Sequence, residues 1–183
     1  LREDVIEAGF PIASQGDFEG VEAVAAACRS LTVAALARAV EGDVRRAAEA
    51  LRPAARPRLH VFVATSDIHL EHKLRKTRAE VLADTRAAVA LARSFTAEVE
   101  FSAEDATRSD RHFLAAACQA AIAAGATTVN IPDTVGYTVP QEYAELISWL
   151  RGNVRGGGAV VWSVHCHNDL GRAVANSLAA LGA

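Results

Sequence analysis

Two histidines separated by one residue, His165 and His167, are the strongest candidates for chemistry in this sequence. They follow an apolar run, residues 159–164, that predicts a β-strand. Side chains alternate across a strand, so we expect both imidazoles on one side and Cys166 on the other, as a packed small hydrophobe. Imidazole is the commonest nitrogen ligand of divalent metals, so the pair predicts two ligands of a metal ion. The alternative is a pair of hydrogen-bonded histidines without a metal.

A second candidate is Glu104, which follows a strand predicted for residues 98–102. Ser102 and Glu104 lie on one side of that strand if its extended geometry persists. A carboxylate there can transfer a proton or orient another group. The alternative is that Glu104 and Asp105 are solvated loop carboxylates.

A third group follows the strand predicted for residues 127–131. Asn130, Pro132 and Thr134 share one side, where an amide and a hydroxyl can hold a substrate carboxylate; the alternative is ordinary turn chemistry. His60 lies inside another predicted strand and is either a hydrogen-bonded core residue or a site residue. Glu7, in an apolar strand, is costly to bury unpaired, so it must meet a partner or face water.

The elements that position these residues are repeated βα units. Apolar, β-branched runs alternate with Ala-rich stretches along the whole chain, which is typical of helices around a parallel sheet. Helix signals include an N-cap at Asp17, a capping box from Thr77 to Glu80, and a last helix from about Asp169.

The number of units favours an α/β fold, an incomplete TIM (β/α)8 barrel. A closed barrel takes about 250 residues and eight units. This chain of 183 residues contains about six units, so the first and last strands are expected to be absent. An open doubly wound sheet is the alternative, but Gly9-Phe-Pro stands where its Gly-rich phosphate motif would follow the first strand.

Composition excludes several classes of protein. The chain is 51% hydrophobic with a net charge of −3, which gives no basic surface for nucleic acid or an anionic membrane. Three cysteines without C-x-x-C spacing argue against a disulfide framework and for a cytoplasmic location. No secretion signal is evident, and the absence of Met indicates a piece of a longer protein. We therefore expect residues 1–183 to be one partial catalytic domain.

Five segments at five predicted strand ends together resemble the 2-isopropylmalate synthase family, within the metal-dependent acyltransferases and lyases built on TIM barrels. They are DVIEAGFPIASQGDFE, HVFVATSDIHLEHKL, VEFSAEDATRSD, NIPDTVGY and SVHCHNDLGRAVANSLAA. The resemblance spans nearly the whole chain, and the segments occur in the family's order.

The resemblance implies a role for each candidate. His165 and His167 correspond to the two metal-binding histidines, and Glu104 to an active-site carboxylate. The wall that receives the 2-oxo acid corresponds to His60, Ser102, Asn130, Pro132 and Thr134. The family's Arg-Asp pair on its first strand, its Asn-bearing last strand and its regulatory C-terminal domain have no counterpart in the sequence.

The implied reaction is a Claisen-type condensation of acetyl-CoA with 3-methyl-2-oxobutanoate in leucine biosynthesis, with Mg, Mn or Zn as the cation and a homodimer when full length. Homocitrate synthases tend to carry an Arg where Glu100 stands, which argues against them. Citramalate synthase, which uses pyruvate, remains an alternative. A third alternative is an inactive barrel fragment.

Overall fold

Six strands run parallel in one sheet, in the order in which they occur along the chain. The computed structural model describes residues 3–183. The strands are β1 (Val5–Gly9), β2 (Thr32–Arg38), β3 (Pro57–Ala64), β4 (Glu98–Glu104), β5 (Thr128–Asp133) and β6 (Val161–Cys166). The six units and their parallel arrangement agree with the sequence prediction.

Helices connect each strand to the next. They are α1 (Gln15–Ala27), α2 (Glu41–Ala50), α3 (Asp67–His69), α4 (Arg78–Phe95), α5 (Arg111–Ala124), α6 (Pro140–Asn153) and α7 (Ala173–Leu181). A π-helical turn, Leu70–Leu74, continues α3, and short 3-10 turns lie at Ala106–Arg108 and Gly157–Ala159. Across residues 3–183, no helix combines the length and apolar character needed to cross a membrane.

The two faces of the sheet differ in chemistry, as β4 illustrates. Val99, Phe101 and Ala103 are fully buried in the apolar core that the strands share with the helices. The alternate residues, including Ser102 and Glu104, therefore lie on the other face, which we call the inner face. Glu98, Glu100 and Glu104 are half-buried on the inner face of β4, so this face is polar along the strand.

Two predicted helix starts are wrong. Asp17 is not the N-cap of α1, because the extended residue Ser14 takes that role and accepts a hydrogen bond from the backbone N–H of Asp17 at 3.1 Å. The last helix begins at Ala173, four residues after Asp169, because residues 168–171 form a turn that ends at Gly171 with φ +69°. The capping box at Thr77 and Glu80 is confirmed.

Candidate functional site

The inner face holds a cavity of about 160 Å³ at the carboxyl-terminal side of the sheet. Every site residue predicted from the sequence lines it, together with three further side chains. The lining comprises Glu7, Leu36, His60, Phe62, Ser102, Glu104, Asn130, Pro132, Thr134, His165 and His167. The fold thus brings together residues from all six strands and from the loops after β5 and β6, and we call this space the site cavity.

A chain of hydrogen bonds crosses the floor of the site cavity from β1 to β5. The Glu7 carboxylate contacts Nδ1 of His60, and Nε2 of His60 lies 2.6 Å from Oγ of Ser102. Asn130 Nδ2 donates to the same Oγ at 2.7 Å. Strand pairing sets Ser102 directly opposite Asn130, so the sheet itself aligns this contact. From the sequence, Glu7 is expected either to meet a partner or to face water. The structure shows a partner, His60, and also a position on the cavity wall.

The charge state of His60 follows from its surroundings. Burial alone would lower the pKa of His60, but the hydrogen bond that His60 donates to Glu7 and the charges of Glu100 and Glu7 outweigh burial and raise the pKa above the ordinary 6.5. Burial alone would raise the pKa of Glu7, but the hydrogen bond that its carboxylate accepts from His60 and the charge of that ring lower the pKa below the ordinary 4.5. The pair therefore favours an imidazolium beside a carboxylate.

This charge state determines where the Ser102 proton points. An imidazolium donates from both ring nitrogens, so Ser102 Oγ accepts from His60 and from Asn130. Both acceptor positions of the hydroxyl are then used by protein donors. Neither contact then uses its own O–H, which is available to donate to a third group.

An ion-pair cluster lies next to His60 on the same face. Arg58 Nη2 is 2.7 Å from the carboxylate of Glu98, and Arg58 Nη1 is 3.2 Å from that of Glu100. Glu100 also lies 3.9 Å from His60 Nε2. The Arg58 guanidinium is thus shared by two carboxylates. Sequence reasoning missed Arg58, although it has the same strand parity as His60.

The two histidines after β6 lie side by side on the inner face. The His165 and His167 ring centroids are 4.9 Å apart, with an interplanar angle of 69°. Burial, followed by the nearby charge of His167, lowers the pKa of His165, which favours the neutral imidazole that binds metals.

The arrangement fits two ligands of one cation. Two imidazoles bound to one metal at about 2.1 Å have centroids roughly 4.5 to 5.5 Å apart, and the observed separation lies within that range. In the part of the chain that the structure describes, no group of three or more His, Cys, Asp or Glu side chains can hold a metal. The pair therefore fits part of a ligand set.

Glu104 ends β4 at the rim of the site cavity. Both oxygens of its carboxylate accept from Lys73 Nζ, at 2.6 and 2.9 Å. The solvated-loop interpretation is wrong for Asp105, which is fully buried with φ +64° and accepts from Arg108 Nε at 2.8 Å. Its backbone N–H donates to Thr134 Oγ1 at 2.9 Å, which ties the β4 and β5 loops together.

A buried polar network supports the loop that follows β6. Asp133 accepts from Thr107 Oγ1 at 3.1 Å and from Asn176 Nδ2 at 3.2 Å, and its backbone carbonyl accepts from the His167 N–H at 3.2 Å. Asn176 also donates to the Thr138 carbonyl at 3.0 Å. No local pattern in the sequence indicates this network, because its members belong to four separate segments of the chain.

Comparisons with known proteins agree with this architecture. A hydroxymethylglutaryl-CoA lyase from Pseudomonas aeruginosa superimposes with a TM-score of 0.75 at 20% identity, covering 95% of this chain and 59% of the lyase. A likeness at that identity concerns the fold, and it supports the incomplete TIM barrel predicted from the sequence.

Relatives found by comparison of sequences share a much higher identity with this chain. A 2-isopropylmalate synthase of Syntrophus aciditrophicus is 58% identical over 97% of this chain and 34% of the relative. Another, of Nitrosospira multiformis, is 59% identical over 99% of this chain and 36% of the relative. The chain thus spans about a third of the length of these relatives. It matches the HMGL-like family over residues 1–183, and it belongs to that family.

Proposed function

We propose that the protein containing this chain is a 2-isopropylmalate synthase, an acyltransferase that condenses acetyl-CoA with 3-methyl-2-oxobutanoate to give 2-isopropylmalate and CoA. The observation that carries this proposal is the identity of 58% to a synthase of that name over 97% of the chain. The convergence of all the predicted site residues on one cavity supports it from the side of chemistry. The reaction is the first committed step of leucine biosynthesis.

The carboxylate and ketone of the 2-oxo acid would bind on the wall formed by β4 and β5. The free O–H of Ser102 donates to a substrate oxygen, with the His60 imidazolium behind it adding positive charge. Thr134 and Pro132 form the upper part of the wall. These groups are ordered before substrate arrives, because strand pairing and the chain of hydrogen bonds hold them in place.

His165 and His167 would hold the divalent cation. Their shared face and ring separation support this role. When bound, such a cation supplies Lewis-acid polarisation of the 2-oxo group. The identity of the metal stays open among Mg, Mn and Zn, because two imidazoles accept each of them together with oxygen ligands.

Glu104 would place its own carboxylate at the rim of the site cavity, where the methyl group of acetyl-CoA must approach the ketone carbon. In that position it orients the methyl group or a water, or accepts the methyl proton at a carboxylate oxygen. Lys73 Nζ contacts both oxygens of this carboxylate, at 2.6 and 2.9 Å. After carbon–carbon bond formation, hydrolysis of the thioester releases CoA and draws the condensation forward.

The cavity walls favour a branched, singly charged 2-oxo acid. Leu36 and Phe62 offer apolar surface for an isopropyl group. Arg58 is already neutralised by Glu98 and Glu100, so a second substrate carboxylate, as in 2-oxoglutarate, would lack a cation in this cluster. This argues against homocitrate synthesis, and the choice between the branched acid and pyruvate requires an assay.

The test is release of free thiol from acetyl-CoA by the full-length protein with a divalent metal and each of three acids. We expect the highest kcat/KM with 3-methyl-2-oxobutanoate. A higher value with pyruvate would assign the protein as a citramalate synthase, and no turnover with any acid would overturn the proposal. The isolated chain of 183 residues is expected to be inactive, since β1 and β6 each pair on one side in the described sheet. The homodimer and the cytoplasmic location stay predictions.

A further inference from the structure

The connection between β3 and α4 brings a lysine into contact with Glu104, which lines the site cavity. The chain passes through α3 and the π-helical turn Leu70–Leu74, and Arg75 then adopts a left-handed conformation with φ +52°. Leu70 is buried in the core, and its carbonyl accepts from the Lys76 N–H at 3.1 Å. The capping box at Thr77 fixes the far end of the connection. These anchors set the backbone position of Lys73, and π-helical turns are frequent at functional sites.

Lys73 Nζ donates hydrogen bonds to both carboxylate oxygens of Glu104. Its Nζ lies 2.6 Å from one oxygen and 2.9 Å from the other, across a sequence separation of 31 residues. A charge-assisted pair of this kind restricts rotation of the carboxylate about its last bond. Glu104 is thereby held in one orientation at the edge of the site cavity.

The pair is too exposed to be an important source of stability. The Lys73 side chain is 48% exposed and that of Glu104 21%, and exposed ion pairs contribute little to the free energy of unfolding. Glu104 and Phe62 also separate the site cavity from a neighbouring cavity of about 340 Å³ that Lys73 itself lines. The lysine therefore stands behind Glu104, on the side away from the histidines.

We propose that Lys73 is a positioning residue that orients the Glu104 carboxylate for the condensation. This inference rests on the proposed function, since it assigns a role in that reaction. Lys73 acts through Glu104 and does not touch the 2-oxo acid. A nearby lysine offers the contrast, because Lys76 lines the same neighbouring cavity but pairs with Asp84 on α4 and not with Glu104.

Three variants of the full-length protein test the proposal. Lys73→Met keeps most of the side-chain volume and removes the charge, Lys73→Arg keeps the charge, and Lys76→Met is the matched control in the same connection. A misoriented reacting group lowers rates by up to about a hundredfold, so we expect Lys73→Met to lower kcat about tenfold to a hundredfold. The KM for the 2-oxo acid should change less than about twofold, because the acid-binding wall is intact.

The remaining outcomes separate positioning from a structural role. Lys73→Arg should recover most of the lost kcat, and Lys76→Met should leave kcat unchanged, with similar thermal unfolding midpoints for all three. A kcat of Lys73→Met equal to that of the unchanged protein, an arginine variant as slow as the methionine variant, or a rise in KM alone would overturn the proposal.

A crystal structure of Lys73→Met distinguishes this proposal from the proposed function. We expect the Glu104 carboxylate to leave its present orientation in that variant, and an unmoved carboxylate would overturn the positioning role. Failure of the unchanged protein to release thiol with any acid would instead overturn the proposed function. The structural result would still stand in that case.

Discussion

Ser102 is the point where the hydrogen-bond chain of the site cavity converges, so Ser102→Ala is the most informative single substitution. The hydroxyl oxygen accepts from Asn130 Nδ2 at 2.7 Å and lies 2.6 Å from His60 Nε2. All three residues are buried, with exposed fractions of 6%, 5% and 8% for Ser102, Asn130 and His60. Alanine leaves two buried donors without their acceptor.

The expected loss of stability follows from the number of buried donors that lose their acceptor. A buried donor that loses its partner costs about 1 to 3 kcal/mol, so two donors would cost about 2 to 6 kcal/mol. Both groups border the site cavity, where a water molecule can replace part of the lost bonding. We therefore expect the free energy of unfolding to fall by about 2 kcal/mol, near the lower limit of that range.

The same substitution removes a donor to the substrate. A hydrogen bond to a charged group is worth about 1.5 to 3 kcal/mol, which corresponds to a decrease of roughly 10- to 150-fold in kcat/KM for the 2-oxo acid. Urea unfolding followed by tryptophan fluorescence gives the first quantity, and thiol release from acetyl-CoA gives the second.

Ser177→Ala is the matched control. The Ser177 hydroxyl donates to the Ala173 carbonyl within α7 at 2.8 Å, a local bond that stabilises a helix little. If Ser102→Ala and Ser177→Ala have the same unfolding free energy and the same kcat/KM, the convergence of donors on Ser102 has no energetic consequence and the reasoning fails.

Two further predictions concern the metal and the pH dependence. Replacement of both His165 and His167 by Ala should reduce bound divalent metal to background by elemental analysis while the circular dichroism spectrum stays unchanged, and retained metal would contradict the assignment. The charged form of His60, whose pKa is raised above 6.5, contributes stability and a free Ser102 donor at low pH. Both are lost as the pH rises through that pKa. Glu7→Gln removes a negative charge that raises the pKa of His60, so the alkaline decrease in kcat/KM should move to lower pH. Superimposable pH profiles of the two proteins would rule out this effect of Glu7 on His60.

Strand alternation accounts for the site residues that sequence analysis found. Ser102 with Glu104, and His165 with His167, are separated by two positions, and a pleated strand places such pairs on one face whatever surrounds it. The same regularity predicted the six βα units. Helix starts were less accurate, because competing caps such as Ser14 and the turn ending at Gly171 depend on a few local hydrogen bonds.

Some of the residues that the sequence alone did not indicate lie in irregular connections. The left-handed Arg75 and the π-helical turn before it have no periodic pattern, so nothing local predicted that Lys73 would reach Glu104. The burial of Asp105 depends on Arg108 and on the β5 loop that packs beside it. The Lys73–Glu104 and Asp105–Thr134 contacts join residues 31 and 29 positions apart in the chain, and only the packing of those segments creates them.

The sequence by itself determined the repeated βα units and which side chains of each strand share a face, because both depend on local periodicity. The tertiary structure decided the heights at which neighbouring strands meet, which sets Ser102 opposite Asn130 and Pro132 opposite His165. It also decided the charge of His60, since that charge requires Glu7 from β1 and Glu100 from β4 to lie beside one buried ring. Strand register and local electrostatics arise only when the whole sheet is assembled, so they were beyond the reach of any local pattern.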